Sequence, residues 1–235
     1  MNLNNNTEYW GFNYTLLITL IVFLVFGLVQ SLTVFLLHKF NYAIDIETVA
    51  FSYLGLISLL SSIIGSICLF TFIKVKRMDI VKYLNLTKPN RTQLFLFIIS
   101  SLFLMFLMEL ISNNYPELFN TDFVIESYKN ANSIFLLYLG VGICGPIFEE
   151  LLFRGFLFKG LENSFLGGKG AVIISSILFS IVHMQYGLLV IILMIFPMAV
   201  LLGYARLKSG SLLIPIILHV VNNILACLVT HFEIY

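Results

Sequence analysis

Three ionisable side chains fall within six residues of one apolar run, in the stretch GPIFEELLFRG at 145–155: Glu149, Glu150 and Arg154. Two more titratable groups sit in apolar runs further on, His183 in FSIVHMQ and His219 in ILHVVNN, the latter followed by Asn222 and Asn223. Two carboxylates, two imidazoles and an amide among apolar helices form the inventory of a reaction centre. A carboxylate can take a proton from water, and an imidazole can hold or move one. An amide or imidazole N–H can stabilise an oxyanion. Helix geometry divides the labour. Glu150 and Arg154 are four apart and share a face, so they can pair, whereas Glu149 is turned by about 100° and is free of that arginine. His219 and Asn223 are also four apart on one face, with Asn222 on a neighbouring face. Phe179 lies one turn before His183.

The elements that must carry these groups are membrane spans. The chain is 60% hydrophobic and 11% charged, with mean hydropathy +1.00, against about a quarter charged in a soluble domain. Its net charge is +1, and no basic cluster interleaved with aromatics points to nucleic acid. Seven segments are long and apolar enough to cross a bilayer: 14–37, 50–73, 92–112, 133–158, 169–186, 187–205 and 211–231. An eighth element fits in 74–91 or 113–132. The expectation is an all-α polytopic transmembrane bundle of about seven to eight spans, a single integral membrane domain over 1–235, with the chemistry in 133–231. Cys68, Cys144 and Cys227 lie in apolar runs without metal-ligand spacing and read as buried thiols. The opening MNLNNNTEYWGFNY lacks the basic region of a cleavable signal, so the first span is expected to be retained.

Charge asymmetry orients the bundle. The 74–91 connection carries Lys74, Lys76, Arg77, Lys82, Lys88 and Arg91. Placing it in the cytoplasm and alternating brings 11 of the 13 basic residues to that side and leaves Lys39 and Lys129 outside. The fourth span then puts Glu149 in its cytoplasmic half. A charge at mid-helix costs about 2.5–3.5 kcal/mol on insertion scales, so these groups must face protein or water. His183 falls toward the outer end of the fifth span. Joining it to Glu149 and His219 therefore needs a short or displaced helix, or a deep pocket. Glu109, near the outer end of the third span, reads as structural, and Ser175, Ser176 and Ser180 read as helix-packing residues.

Taken in order, EELLFRG, FSIVH and HVVNN resemble the E-E-x-x-x-R, F-x-x-x-H and H-x-x-x-N motifs of the CPBP family, the CAAX-protease and bacteriocin-processing (Abi) enzymes. The resemblance covers the C-terminal half; residues 1–130 match only as generic spans. It implies an intramembrane glutamic endopeptidase with a helical bundle and a cavity open to the cytosol. It further implies that Glu149 and His183 hold and activate water, that His219 and Asn223 stabilise the oxyanion, and that Glu150 and Arg154 support them. No cofactor or metal is expected. The expected partners are the lipid bilayer and a membrane-associated peptide or protein. Usage rich in Asn, Ile, Phe and Lys suggests a bacterial plasma membrane, where a bacteriocin or signalling precursor suits better than a prenylated tail. Two other readings use the same residues. A zinc peptidase with these Glu and His ligands is separated by chelation, and a non-catalytic scaffold or immunity protein by survival of function without the motif residues. A transporter would need inverted repeats, and none is found.

Overall fold

The computed structural model describes residues 9–116 and 122–234, so the expectation about the first residues lies largely outside the described part. The chain is a multi-pass membrane protein built of helices. Its elements are α1 (Phe12–Phe40), α2 (Ile46–Ser52), α3 (Leu54–Val75), α4 (Ile80–Tyr83), α5 (Arg91–Asn114) and α6 (Asp122–Lys129), then a composite fourth span, Ile134–Glu162. That span comprises α7 (Ile134–Leu137), a π-helical stretch Tyr138–Cys144, α8 (Gly145–Glu150), a second π-helical stretch Leu151–Leu157, and α9 (Phe158–Glu162). There follow α10 (Gly167–Ile181), a 3₁₀ turn Met184–Tyr186, α11 (Leu188–Val190), a π-helical stretch Ile191–Ile195, α12 (Phe196–Ser209) and α13 (Leu213–Ile234).

Among the described residues six helices are long and apolar enough to cross a membrane, and α10, with 15 residues, is shorter. The seven expected segments are thus six full spans and one partial one. Local chemistry sets the boundaries. Asp45, Asp79, Asn90 and Ser133 each accept a hydrogen bond from a backbone N–H in the first turn of α2, α4, α5 and α7. Gly210, at φ 65°, closes α12 in the left-handed conformation. Pro146 and Pro197 each follow a π-helical stretch. A proline ring clashes with the carbonyl four residues earlier, and a widened turn relieves that clash.

Burial sorts the spans. In the apolar windows of α1 and α5 only 6% of residues are buried, against 44% in the fourth span. α1 and α5 therefore face lipid, and the motif-bearing fourth span is the centre of the bundle. α3 lies directly on it: a Cβ on Gly140 would strike the Gly55 carbonyl, and Ser58 Oγ donates to Gly140 O at 3.1 Å. The connections segregate to two ends, as alternation requires. At one end Lys76 Nζ donates to Tyr9 O at 2.6 Å, Asn85 Nδ2 donates to Gly210 O at 3.2 Å, and Phe12 packs on Phe165. At the other Phe51 meets Phe123, Phe123 meets Tyr186, and Asn132 N–H donates to Ser52 O. The first is the basic end.

Candidate active site

The fourth span delivers Glu149 and Glu150 from α8, bracketed by π-helical turns of the kind that often mark functional sites. The rotation expected from an α-helix holds. Glu150 and Arg154 pair at 3.1 Å with both side chains fully buried, while the Glu149 side chain is 24% exposed. The span runs from Ile134 to Glu162, which sets Glu149 close to its midpoint.

Arg154 is held on three sides. Beyond Glu150, its Nη2 donates to Ala199 O at 3.0 Å, and the guanidinium lies 4.3 Å from the centroid of the Phe179 ring. That ring also packs against His183 at 4.5 Å and His219 at 5.6 Å. Phe179 is therefore the apolar hub on which the charged groups are arranged, a role its spacing alone did not disclose.

His183 stands where α10 stops. At about 1.5 Å per residue, 15 residues reach only about 22 Å, so the end of α10 lies inside the bundle. The depth mismatch is resolved by the short helix. Phe179 O, one of the carbonyls left unpaired at a helix C-terminus, is 2.7 Å from His183 Nδ1. Nδ1 therefore carries hydrogen and Nε2 faces inward. His219, on α13, is fixed in the same sense, with Nδ1 2.9 Å from Glu150 Oε1. The two Nε2 atoms then converge on a single oxygen: each is 3.8 Å from Glu149 Oε2.

Asn223 is positioned by an irregularity in the backbone. Gly145 N–H bonds to Gly140 O, and Pro146 has no N–H to offer the Val141 carbonyl. Asn223 Nδ2 donates to that carbonyl at 3.1 Å. One amide hydrogen and the amide oxygen remain for other partners. Asn222 turns the other way, accepting from Ser101 Oγ at 2.8 Å and reaching Met198 Sδ at 3.0 Å. Glu149, Glu150, Arg154, His183 and His219 thus lie in one connected group, while Asn223 is tied to the fourth span through the Val141 carbonyl and Asn222 turns away toward Ser101 and Met198.

Two further residues brace the site without a sequence signal that could have singled them out. Arg206, buried, donates from Nε to Arg154 O at 3.1 Å. Tyr186 stacks on His183, with ring centroids 6.2 Å apart and planes 18° apart. Among the described residues no group of three or more His, Cys, Asp or Glu has an arrangement suited to a metal ion.

Comparison with known proteins places these residues in company. Residues 131–225 match the family described as Type II CAAX prenyl endopeptidase Rce1-like. Over 92 residues the chain is 32% identical to an uncharacterized 24.3 kDa protein of Escherichia coli, covering 39% of this chain and 42% of that one. Over 95 residues it is 30% identical to the membrane-embedded CAAX protease MroQ of Staphylococcus aureus (strain USA300), covering 38% and 36%. The chain spans about two fifths of the length of these curated relatives. No solved structure matches. The matched segment contains Glu149, Glu150, Arg154, His183, His219 and Asn223.

Proposed function

We propose, from the match of residues 131–225 to the Type II CAAX prenyl endopeptidase Rce1-like family, that the chain is a CPBP-type intramembrane endopeptidase of the glutamic type. The observation that carries the reading is the convergence of His183 Nε2 and His219 Nε2 on Glu149 Oε2, each at 3.8 Å. At that distance neither pair is a direct hydrogen bond. Both imidazoles spend their Nδ1 hydrogens elsewhere, on Phe179 O and on Glu150. Glu149 Oε2 and His183 Nε2 are thus left as two acceptors facing one small volume, and a water molecule supplies the two hydrogens they call for.

The reaction follows from that placement. Water held between Glu149 and His183 attacks the carbonyl carbon of a peptide bond, and its proton passes to Glu149. Such a base contributes about 10²–10⁴-fold. Negative charge then develops on the carbonyl oxygen. The free Asn223 amide hydrogen meets it, and so does His219 when that residue carries a second proton. Glu149 returns its proton to the leaving nitrogen as the C–N bond breaks. Glu150 and Arg154 do not touch the substrate; they hold His219 and the helix in register. The substrate is a membrane-associated peptide or protein, with a bacteriocin or signalling precursor the best fit to a bacterial membrane.

The test pairs single-turnover cleavage in lipid nanodiscs with peptide binding measured in the Glu149→Gln background. A donor that acts on the developing oxyanion contributes in the transition state and not to binding. Asn223→Ala should therefore slow cleavage by about 10²–10³-fold with the dissociation constant nearly unchanged. Undiminished cleavage in a well-folded Asn223→Ala protein would remove this residue from the mechanism.

A further inference from the structure

α5 is a lipid-facing helix with one buried residue, Ser101. Its inner stripe begins as apolar packing, with Leu94, Phe97 and Ile98 against a buried cluster of α12 and α13 that includes Leu202 and Leu218. Ser101 follows one turn later on the same stripe, and there the packing turns polar. Its hydroxyl donates to Asn222 Oδ1 at 2.8 Å, and Asn222 Nδ2 lies 3.0 Å from Met198 Sδ. Ser101 and Asn222 are 2% and 6% exposed, so this three-helix clasp is closed to solvent.

Asn222 shares α13 with two groups of the candidate site. At about 100° per residue, His219 and Asn223 lie about 40° apart around the helix, and Asn222 lies about 60° to the other side of His219. The three polar side chains are held from two directions. His219 Nδ1 is 2.9 Å from Glu150 Oε1 and Asn223 Nδ2 donates to Val141 O at 3.1 Å, both anchors belonging to the fourth span. Asn222 is held by α5 and α12. The apolar contacts beside it are non-directional and leave the helix free to turn a little, whereas a hydrogen bond to an amide fixes a direction. The Ser101 bond does so without using any hydrogen of His219 or Asn223.

We propose that Ser101 is a positioning residue: through Asn222 and Met198 it fixes the rotation of α13 about its own axis, and so sets where His219 and Asn223 aim. Loss of the hydroxyl strands Asn222 Oδ1 in an apolar interface, and α13 turns to relieve it, displacing both site groups. That the displacement slows hydrolysis rests on the peptidase reading; that the helix turns does not.

Removing both partners separates stability from position. Ser101→Ala leaves a buried acceptor unpaired, whereas Ser101→Ala combined with Asn222→Leu replaces the pair by apolar groups, an exchange close to neutral for folding. Both variants should cleave about 10–100-fold more slowly in single turnover, with peptide binding in the Glu149→Gln background nearly unchanged. Ser101→Thr, which keeps the hydroxyl, should cleave at close to the wild-type rate. A second readout, independent of hydrolysis, uses the native Cys227. A Cβ at position 142 would lie 3.8 Å from Cys227 Sγ and meet the end of the Ile224 side chain. In Gly142→Cys chains with Cys68 and Cys144 replaced by serine, oxidation should join positions 142 and 227 readily when Ser101 is present, and more slowly in the two clasp variants. A double variant that folds and then cleaves or cross-links at the wild-type rate overturns the proposal. So does a double variant that fails to fold, since the clasp would then hold the bundle together rather than aim α13. If no chain cleaves any peptide, the peptidase reading falls and the cross-linking rates still decide the proposal.

Discussion

Glu149 and Glu150 are neighbours in the chain with opposite surroundings. Glu150 is fully buried and gives one oxygen to both Arg154 and His219, whereas Glu149 keeps part of its surface and faces two imidazole nitrogens. Substitutions should separate them. Glu149→Gln is expected to abolish turnover at wild-type folded yield, because it removes the proposed base and little else; purification yield and single-turnover assays read the two quantities independently. Arg154→Ala should lower folded yield, since stranding a buried charge costs about 3–5 kcal/mol. Equal yields of Arg154→Ala and wild type would dissolve the ion-pair role. These residues were legible in the sequence because charge in an apolar run is costly and rarely idle. The anchors that aim them were not. Phe179 under Arg154 and Arg206 on the Arg154 carbonyl join groups far apart in the chain, and no spacing rule connects them.

At the scale of elements, the decisive features are departures from regular helix. Hydropathy located the fourth span but not its two π-helical turns, because a change of hydrogen-bond register leaves the apolar pattern in place. The consequence of Pro146 is the Val141 carbonyl it leaves for Asn223. Pro146→Ala restores an amide hydrogen that competes for that carbonyl. The variant should fold and bind peptide normally while its cleavage rate falls about tenfold, the worth of roughly one hydrogen bond. An unchanged rate would break the link between proline and amide. The fifth segment was read through 186, whereas α10 stops at Ile181, since a run of apolar residues does not reveal where a helix gives way to a turn. Close approach of α3 and the fourth span makes another prediction. Gly140→Val drives a side chain into the Gly55 carbonyl and should abolish folded yield, while Gly27→Val, which meets nothing within 4 Å, should not; fluorescence-detected size-exclusion profiles distinguish the two.

For the whole molecule, composition and charge were enough to give the class, the spans and the sorting of loops to two ends, because bilayer thickness and basic residues leave direct marks on sequence. The 74–91 connection, with six basic residues, should be cytoplasmic, and ready labelling of Lys88→Cys in intact cells by an impermeant reagent would overturn that topology. What the chain acts on is decided by groups that meet only in three dimensions, and the central claim is that those groups cut a peptide bond. Comparative peptidomics of cells carrying wild-type protein and cells carrying Glu149→Ala tests it most directly. At least one membrane-associated precursor should accumulate uncut in the variant and its fragments disappear, with the variant folded and present at wild-type level. Identical peptide profiles, together with full cellular function in Glu149, His183, His219 and Asn223 variants that all fold, would contradict it.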